Sequence, residues 1–100
     1  MAGWIGVDFD GTLAEYSTPT AGRPIAPMVA RVKAWLADGV EVRIVTARAG
    51  LPDMIPAVEA WCEQHIGRRL PVTDRKDFGM IELWDDRAVQ VITNTGIPVA

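Results

Sequence analysis

The chain has 100 residues, the size of one small domain, and 49% of them are hydrophobic, enough for a real core. The formal net charge of −3, with acidic and basic residues interspersed, argues against nucleic-acid binding by charge alone. A single cysteine, Cys62, excludes an internal disulfide, no apolar run is long enough to span a bilayer, and the opening Met1-Ala2-Gly3-Trp4 has neither the charged nor the apolar region of a secretory leader, so a cytoplasmic protein with no membrane partner is expected.

Residues 3–8 read as a buried strand carried by Trp4, Ile5 and Val7, and the strand runs into Asp8-Phe9-Asp10-Gly11-Thr12. Residues 13–25, with Pro19, Gly22 and Pro24, read as loop. From Ala26 to Ala37, Val29, Val32, Trp35 and Leu36 recur at helical spacing, and Gly39 closes the helix. Val40 to Val45 is rich in β-branched residues and reads as a second strand, followed by the loop Thr46–Gly50. Pro52 opens a second helix whose apolar face is Ile55, Val58, Trp61, Cys62 and Ile66, closed by Gly67. Leu70 to Thr73 is a short, weak strand, Met80 to Trp84 a stronger one ending at Asp85-Asp86, and Val89 to Thr93 a last one before the turn Asn94-Thr95-Gly96.

Strands alternating with helices imply a parallel sheet with right-handed crossovers. Asp8 and Asp10 then follow the first strand, Thr46 the second, and Asp85 and Asp86 the strand Met80–Trp84. Each lies at a carboxyl end, where open α/β sheets bind ligands, so three separate segments converge on one crevice. Residues two apart on a strand share a face, so Asp8 and Asp10 are expected to face one small volume. Carboxylates that close are tolerated with a cation or a shared proton between them, which is the layout of a divalent-metal site with a nucleophile in it.

These residues resemble the haloacid dehalogenase superfamily of phosphotransferases. Its first motif is matched by Asp8-Phe9-Asp10-Gly11-Thr12, its second by Ile44-Val45-Thr46, its third, a lysine, by Lys76, and its fourth, an acidic pair, by Leu83-Trp84-Asp85-Asp86. The motifs occur in order over nearly the whole chain. The resemblance implies a single α/β core domain over 1–100, a Rossmannoid three-layer fold with a small, mostly parallel sheet flanked by helices and no cap domain. It implies Mg²⁺ held by the Asp8 side chain, the Asp10 backbone carbonyl, and Asp85 with Asp86. It assigns Asp8 as the nucleophile that forms an aspartyl phosphate, and Thr46 and Lys76 as holders of the phosphoryl oxygens. Backbone N–H groups around Gly11 and Thr12 are expected to bind substrate, and Arg48 to contact it from the loop after Thr46 or to pair with a surface carboxylate. Asp10 sets the reaction type: members with this second Asp are typically phosphatases or mutases, because a carboxylic acid can protonate a leaving alkoxide and later deprotonate water. A Mg²⁺-dependent phosphomonoester hydrolase is therefore expected.

Two departures from the family pattern are visible. Asp74–Gly79 is too short for the helix that normally precedes the acidic-pair strand; six extended residues reach at most roughly 20 Å against a three-strand step of roughly 14 Å. Neither loop next to the site is long enough for a folded lid, so the site should be open. The resemblance implies a large phosphorylated substrate or a lid borrowed from a partner subunit, with nucleotides, nucleic-acid ends, sugar phosphates and phosphoproteins all open as the substrate class. Arg87 is expected to form a structural ion pair near Asp85, and Tyr16 and Arg23 lie on the segment that could flap over the site. The rival readings are a receiver-like module that accepts phosphate for signalling and an inactive phosphate- or metal-binding domain. Receiver domains carry their adjacent acidic pair after the first strand, whereas here it comes late.

Overall fold

The computed structural model describes residues 3–100. Trp4–Asp8 forms β1, the innermost strand by burial, with its first four residues inaccessible. Ala26–Ala37 forms α1, with Pro27 in its first turn, where a missing N–H costs nothing, and Met28, Val29 and Val32 turned inward. Glu41–Val45 forms β2. Pro52 opens a 3₁₀ turn over Pro52–Met54, and the α-helix proper, α2, spans Ile55–His65 with Pro56 in its first turn. Val72–Thr73 forms β3, as short as its sequence suggests, and Met80–Trp84 forms β4. The four strands make one all-parallel sheet in the order β3-β2-β1-β4. No helix among the described residues is long and apolar enough to cross a membrane.

Register sorts the side chains into two faces. Ile5 pairs with Val42 and Val7 with Ile44, and these four, buried to 6% exposure or less, meet Val29 and Val32 of α1 and Val58, Trp61 and Cys62 of α2 in one cluster. Two successive right-handed crossovers in one direction put both helices on that face. Phe9 and Trp61 close the cluster edge-to-face, with ring centroids 5.0 Å apart. Trp84, paired with Val7, lies on the same face against Trp35, while Arg31 covers its ring at 4.9 Å.

The third layer expected from the sequence is missing: between β3 and β4 runs an irregular loop in place of a helix, so no helix among the described residues covers the second face. Trp4 covers it instead. Its indole is 2% exposed and lies across Gly6, where an added Cβ would meet the Trp4 ring at 3.2 Å and Leu83 at the same distance, so a side chain there would lift the ring off the sheet. The Arg43 guanidinium stacks over the indole at 4.4 Å. Asp77, from the crossover loop, accepts hydrogen bonds from Trp4 Nε1 and from the Gly79 N–H, each 2.8 Å, and its other oxygen lies 3.3 Å from Arg43 Nη1. The short crossover is thus tied to the sheet by one carboxylate, which those donors hold below its ordinary pKa.

The strand expected over Val89–Thr93 does not form. Residues 86–100 are exposed throughout, and the segment closes on itself with one bridge between Val91 and Pro98, around Asn94 in the left-handed region. Its β-branched residues suit a strand, but a strand needs a neighbour to pair with, and this segment meets none on the sheet.

Candidate functional site

The carboxyl ends of β1, β2 and β4 open into a cleft of about 880 Å³ lined by Asp8, Asp10, Thr46, Arg48, Asp85 and Asp86, with Tyr16, Thr18 and Pro19 along one rim. Carboxylate oxygens of Asp8, Asp85 and Asp86 come within 4.8 Å of one another. They are delivered from two adjacent strands that stop one pair apart: Val7 faces Trp84 in the register, so Asp8 leaves β1 beside Asp85. Asp85 Oδ1 accepts from the N–H groups of Arg87 (2.7 Å) and Ala88 (3.2 Å), which fixes the turn after β4. Thr12 Oγ1 lies 3.1 Å from Asp86 Oδ1 and 3.4 Å from Asp8 Oδ2, spanning the two carboxylates.

Crowding shows in the acid–base balance. Burial, a hydrogen bond with Asp86, and the negative charges of Asp85 and Asp86 push the Asp8 carboxyl up to about 7. The same bond holds Asp86 below the ordinary range, so a proton taken up by the pair is held on Asp8. Three carboxylates gathered this closely are an oxygen-only donor set that could hold a hard divalent cation.

Gly11 is required here twice. Its φ is +87°, a conformation that L side chains avoid, and an added Cβ would stand 2.6 Å from Asp86 Oδ2. The tight turn it allows carries three N–H groups, of Thr12, Leu13 and Ala14, back to the Phe9 carbonyl.

Asp10 does not join the three carboxylates. Its side chain takes a fork from Arg48, with Nε to Oδ2 and Nη2 to Oδ1 both at 2.8 Å. Arg48 is 8% exposed and also donates from Nη1 to the Pro19 carbonyl at 2.8 Å and from Nη2 to the Ser17 carbonyl. Of the two expectations for Arg48, a substrate contact or a carboxylate partner, the structure shows the second, with Asp10 in the cleft as the carboxylate rather than one at the surface. Thr46 is 4% exposed; its Oγ1 accepts from the Arg48 N–H at 3.1 Å, capping the 3₁₀ turn Ala47–Gly50, and its own hydroxyl proton remains available to the cleft it lines.

Lys76 is exposed on the crossover loop and is not part of the cleft wall, and neither is Arg75. Arg87 is part of it, and among the described residues no carboxylate lies within ion-pair distance of its side chain; only its backbone N–H engages Asp85, in place of the ion pair expected there. Asp74 lines the cleft as well. The sequence signal for both was adjacency alone, Arg87 following the acidic pair and Asp74 following β3. Cys62 is fully buried on the helix face of the core, and burial pushes its thiol up to about 11, which leaves it unreactive.

A solved structure of a conserved protein from Bacteroides thetaiotaomicron matches this fold. The TM-score is 0.68 at 25% identity, covering 89% of this chain and 79% of that one. No family model and no curated protein matches the sequence.

A pH dependence of stability follows from the cluster. Folded Asp8 keeps its proton up to about pH 7, whereas the unfolded chain releases it near 3.8. The folded state therefore binds more protons in between, and its advantage, full below 3.8, is lost as pH rises through 7. Asp8 is only half-buried, so water screens the effect to on the order of 1–2 kcal/mol. Urea unfolding of chelator-treated protein should show stability falling between pH 4.5 and 8, and a flat or rising profile contradicts the shared proton.

Proposed function

We propose that this chain is a capless phosphomonoester hydrolase of the haloacid dehalogenase type, dependent on Mg²⁺ and acting through a phosphoenzyme on Asp8. The observation that carries the reading is the meeting of Asp8, Asp85 and Asp86 within 4.8 Å at the carboxyl ends of two adjacent strands, with Asp10 in the same cleft. The side chains of Asp8, Asp85 and Asp86 and the Asp10 carbonyl would hold the ion. Bound there, Mg²⁺ would neutralise the charge that builds up on phosphoryl oxygens.

In the first step an Asp8 carboxylate oxygen forms a bond to phosphorus while the ester P–O bond breaks, and Asp10 gives a proton to the leaving alkoxide. In the second, water attacks phosphorus with Asp10 taking its proton, the bond to Asp8 breaks, and inorganic phosphate leaves. The Thr46 hydroxyl would donate to a phosphoryl oxygen, a role supported by its position in the cleft wall. The cation assigned to the phosphoryl group passes from Lys76 to Arg87, since Arg87 borders the cleft and, among the described residues, no carboxylate lies within ion-pair distance of its side chain. The wide mouth suits a phosphate at the end of a larger molecule, such as a nucleotide or an oligonucleotide end, and the acidic net charge disfavours tight sequence-independent binding to nucleic acid.

A generic aryl phosphate tests the reading. Turnover is expected with Mg²⁺ and none with chelator, and added Mg²⁺ should raise the unfolding midpoint at pH 8 by mass action on the folded state. Metal-independent turnover contradicts the mechanism. Phosphate trapped on Asp8 without turnover points to a receiver-like module, and neither turnover nor trapping to a binding domain.

A further inference from the structure

We infer that Arg48 is a positioning residue that locks the acid–base group and the rim of the cleft into one unit, an inference that rests on the phosphatase reading for its catalytic part. Four donor contacts of one guanidinium carry it. Two go to Asp10 in the planar fork geometry that matches a carboxylate, and two go to the carbonyls of Ser17 and Pro19 on the β1–α1 loop. The guanidinium is almost wholly buried, and its carbon lies 5.6 Å from the centre of the Phe9 ring, so the clamp rests on the core. Its backbone is fixed in turn by the Thr46 hydroxyl, at the end of β2. Arg48 thus joins the end of β2 to the residue two past β1 and to the loop that forms the rim.

The arrangement has consequences for both partners. Asp10 lies two residues beyond the end of β1, and the bidentate arginine fixes the orientation of its carboxylate. Each Asp10 oxygen has a second lone-pair direction, so a carboxylate held this way still has an acceptor site for a proton in the cleft. Among the described residues no backbone–backbone hydrogen bond engages Ser17–Pro19: the loop is closed by the Glu15 N–H on the Arg23 carbonyl and the Ile25 N–H on the Leu13 carbonyl, and Trp61 Nε1 ties its Gly22 carbonyl to α2, all on either side of that segment. Thr18 and Pro19 face the cleft, so where Arg48 holds them sets the width of the entrance. Four of the five guanidinium N–H groups of Arg48 are taken by these partners, so its main action runs through Asp10 and the rim.

The test compares Arg48→Ala and Arg48→Lys with the unsubstituted protein. Hydrogen exchange of the Ser17, Thr18 and Thr20 amides is read without Mg²⁺ or substrate, and steady-state kinetics on aryl phosphate with Mg²⁺. Loss of the clamp should raise exchange in that segment at least about tenfold while leaving β1 and β2 protected. It should lower kcat by about 10²-fold with KM within about threefold, because the acid–base group is misaligned and phosphate binding is not. Arg48→Lys should behave nearly as badly, since an ammonium cannot form the fork, and added guanidinium ion should restore part of kcat to Arg48→Ala alone. Global loss of protection in Arg48→Ala passes the question to Arg48→Lys, which keeps the charge and stem. Unchanged exchange in Ser17–Thr20, or a loss confined to KM, overturns the inference. If the unsubstituted protein turns over no aryl phosphate, the phosphatase reading fails by itself, and the exchange data alone decide the clamp.

Discussion

Asp8→Asn is expected to abolish turnover and, in the same protein, to stabilise the metal-free fold at neutral pH. The two effects have one cause. Asp8 has a carboxylate oxygen within 4.8 Å of those of Asp85 and Asp86, and burial, the hydrogen bond with Asp86 and the charges of both push its carboxyl up to about 7. An amide keeps the shape and removes both the nucleophilic oxygen and the repulsion. Without the nucleophile, kcat should fall by about 10³-fold or more, since the phosphoryl group has no acceptor on the protein. Metal-free stability at pH 8 should rise by about 1 kcal/mol, and the decline between pH 4.5 and 8 should flatten. Urea midpoints across that range, with aryl phosphate turnover on the same preparations, give both readouts. Full activity in Asp8→Asn would remove the phosphoenzyme from the reading, and a lower midpoint at pH 8 would remove the like-charge account of the cluster.

Trp4→Ala should be the most damaging substitution for folding. Trp4 is 2% exposed on the sheet face that carries no helix, and its ring fills the space above Gly6 that a packed layer would otherwise occupy. Truncation opens a cavity against Leu83 and Val45, removes the support for Arg43, and releases Asp77 and the crossover loop. Large-to-small changes of this kind cost about 3–5 kcal/mol, against a total of about 5–15 kcal/mol for a domain, so much of the protein should be unfolded at physiological temperature. Trp4→Phe keeps a ring and loses the indole N–H; it should cost about 1–3 kcal/mol, including the misfit of a smaller ring. Because the loop sets where β4 starts, Trp4→Phe should also weaken binding of a divalent cation at Asp85 and Asp86. Urea unfolding followed by circular dichroism checks the order. A cost below about 1 kcal/mol for Trp4→Ala would mean that the second face needs no cover.

The one-proton coupling of Asp8 to Asp86 and the fork from Arg48 to Asp10 divide the first motif between two tasks. Asp8 looks toward the acidic turn after β4, and Asp10 looks toward the turn after β2. Strand alternation suggested that both would face one volume, and both do line one cleft. The chain leaves β1 after Asp8, however, and the turn closed by Gly11 rotates Asp10 away from the line of the strand.

The amino-acid sequence by itself determined the parallel α/β plan, because apolar periodicity switches between strand and helix where the backbone does: Val29 and Val32 on α1 and Val58, Trp61 and Cys62 on α2 are the buried face that their spacing marks. It also placed Asp8, Asp10, Thr46, Asp85 and Asp86 around one cleft, since a parallel sheet gathers every carboxyl end on the same side. Only the tertiary structure decided what depends on contacts between distant residues. Val89–Thr93 has strand composition and no strand to pair with; Lys76 stands where the sequence resemblance put a phosphate-binding lysine and lies outside the cleft; Trp4 replaces a missing layer with one ring; Arg48 faces Asp10 across 38 positions. Local pattern reports which face of an element is apolar. It carries no information on which partner a long polar side chain reaches, because that is set by where separate elements end in space.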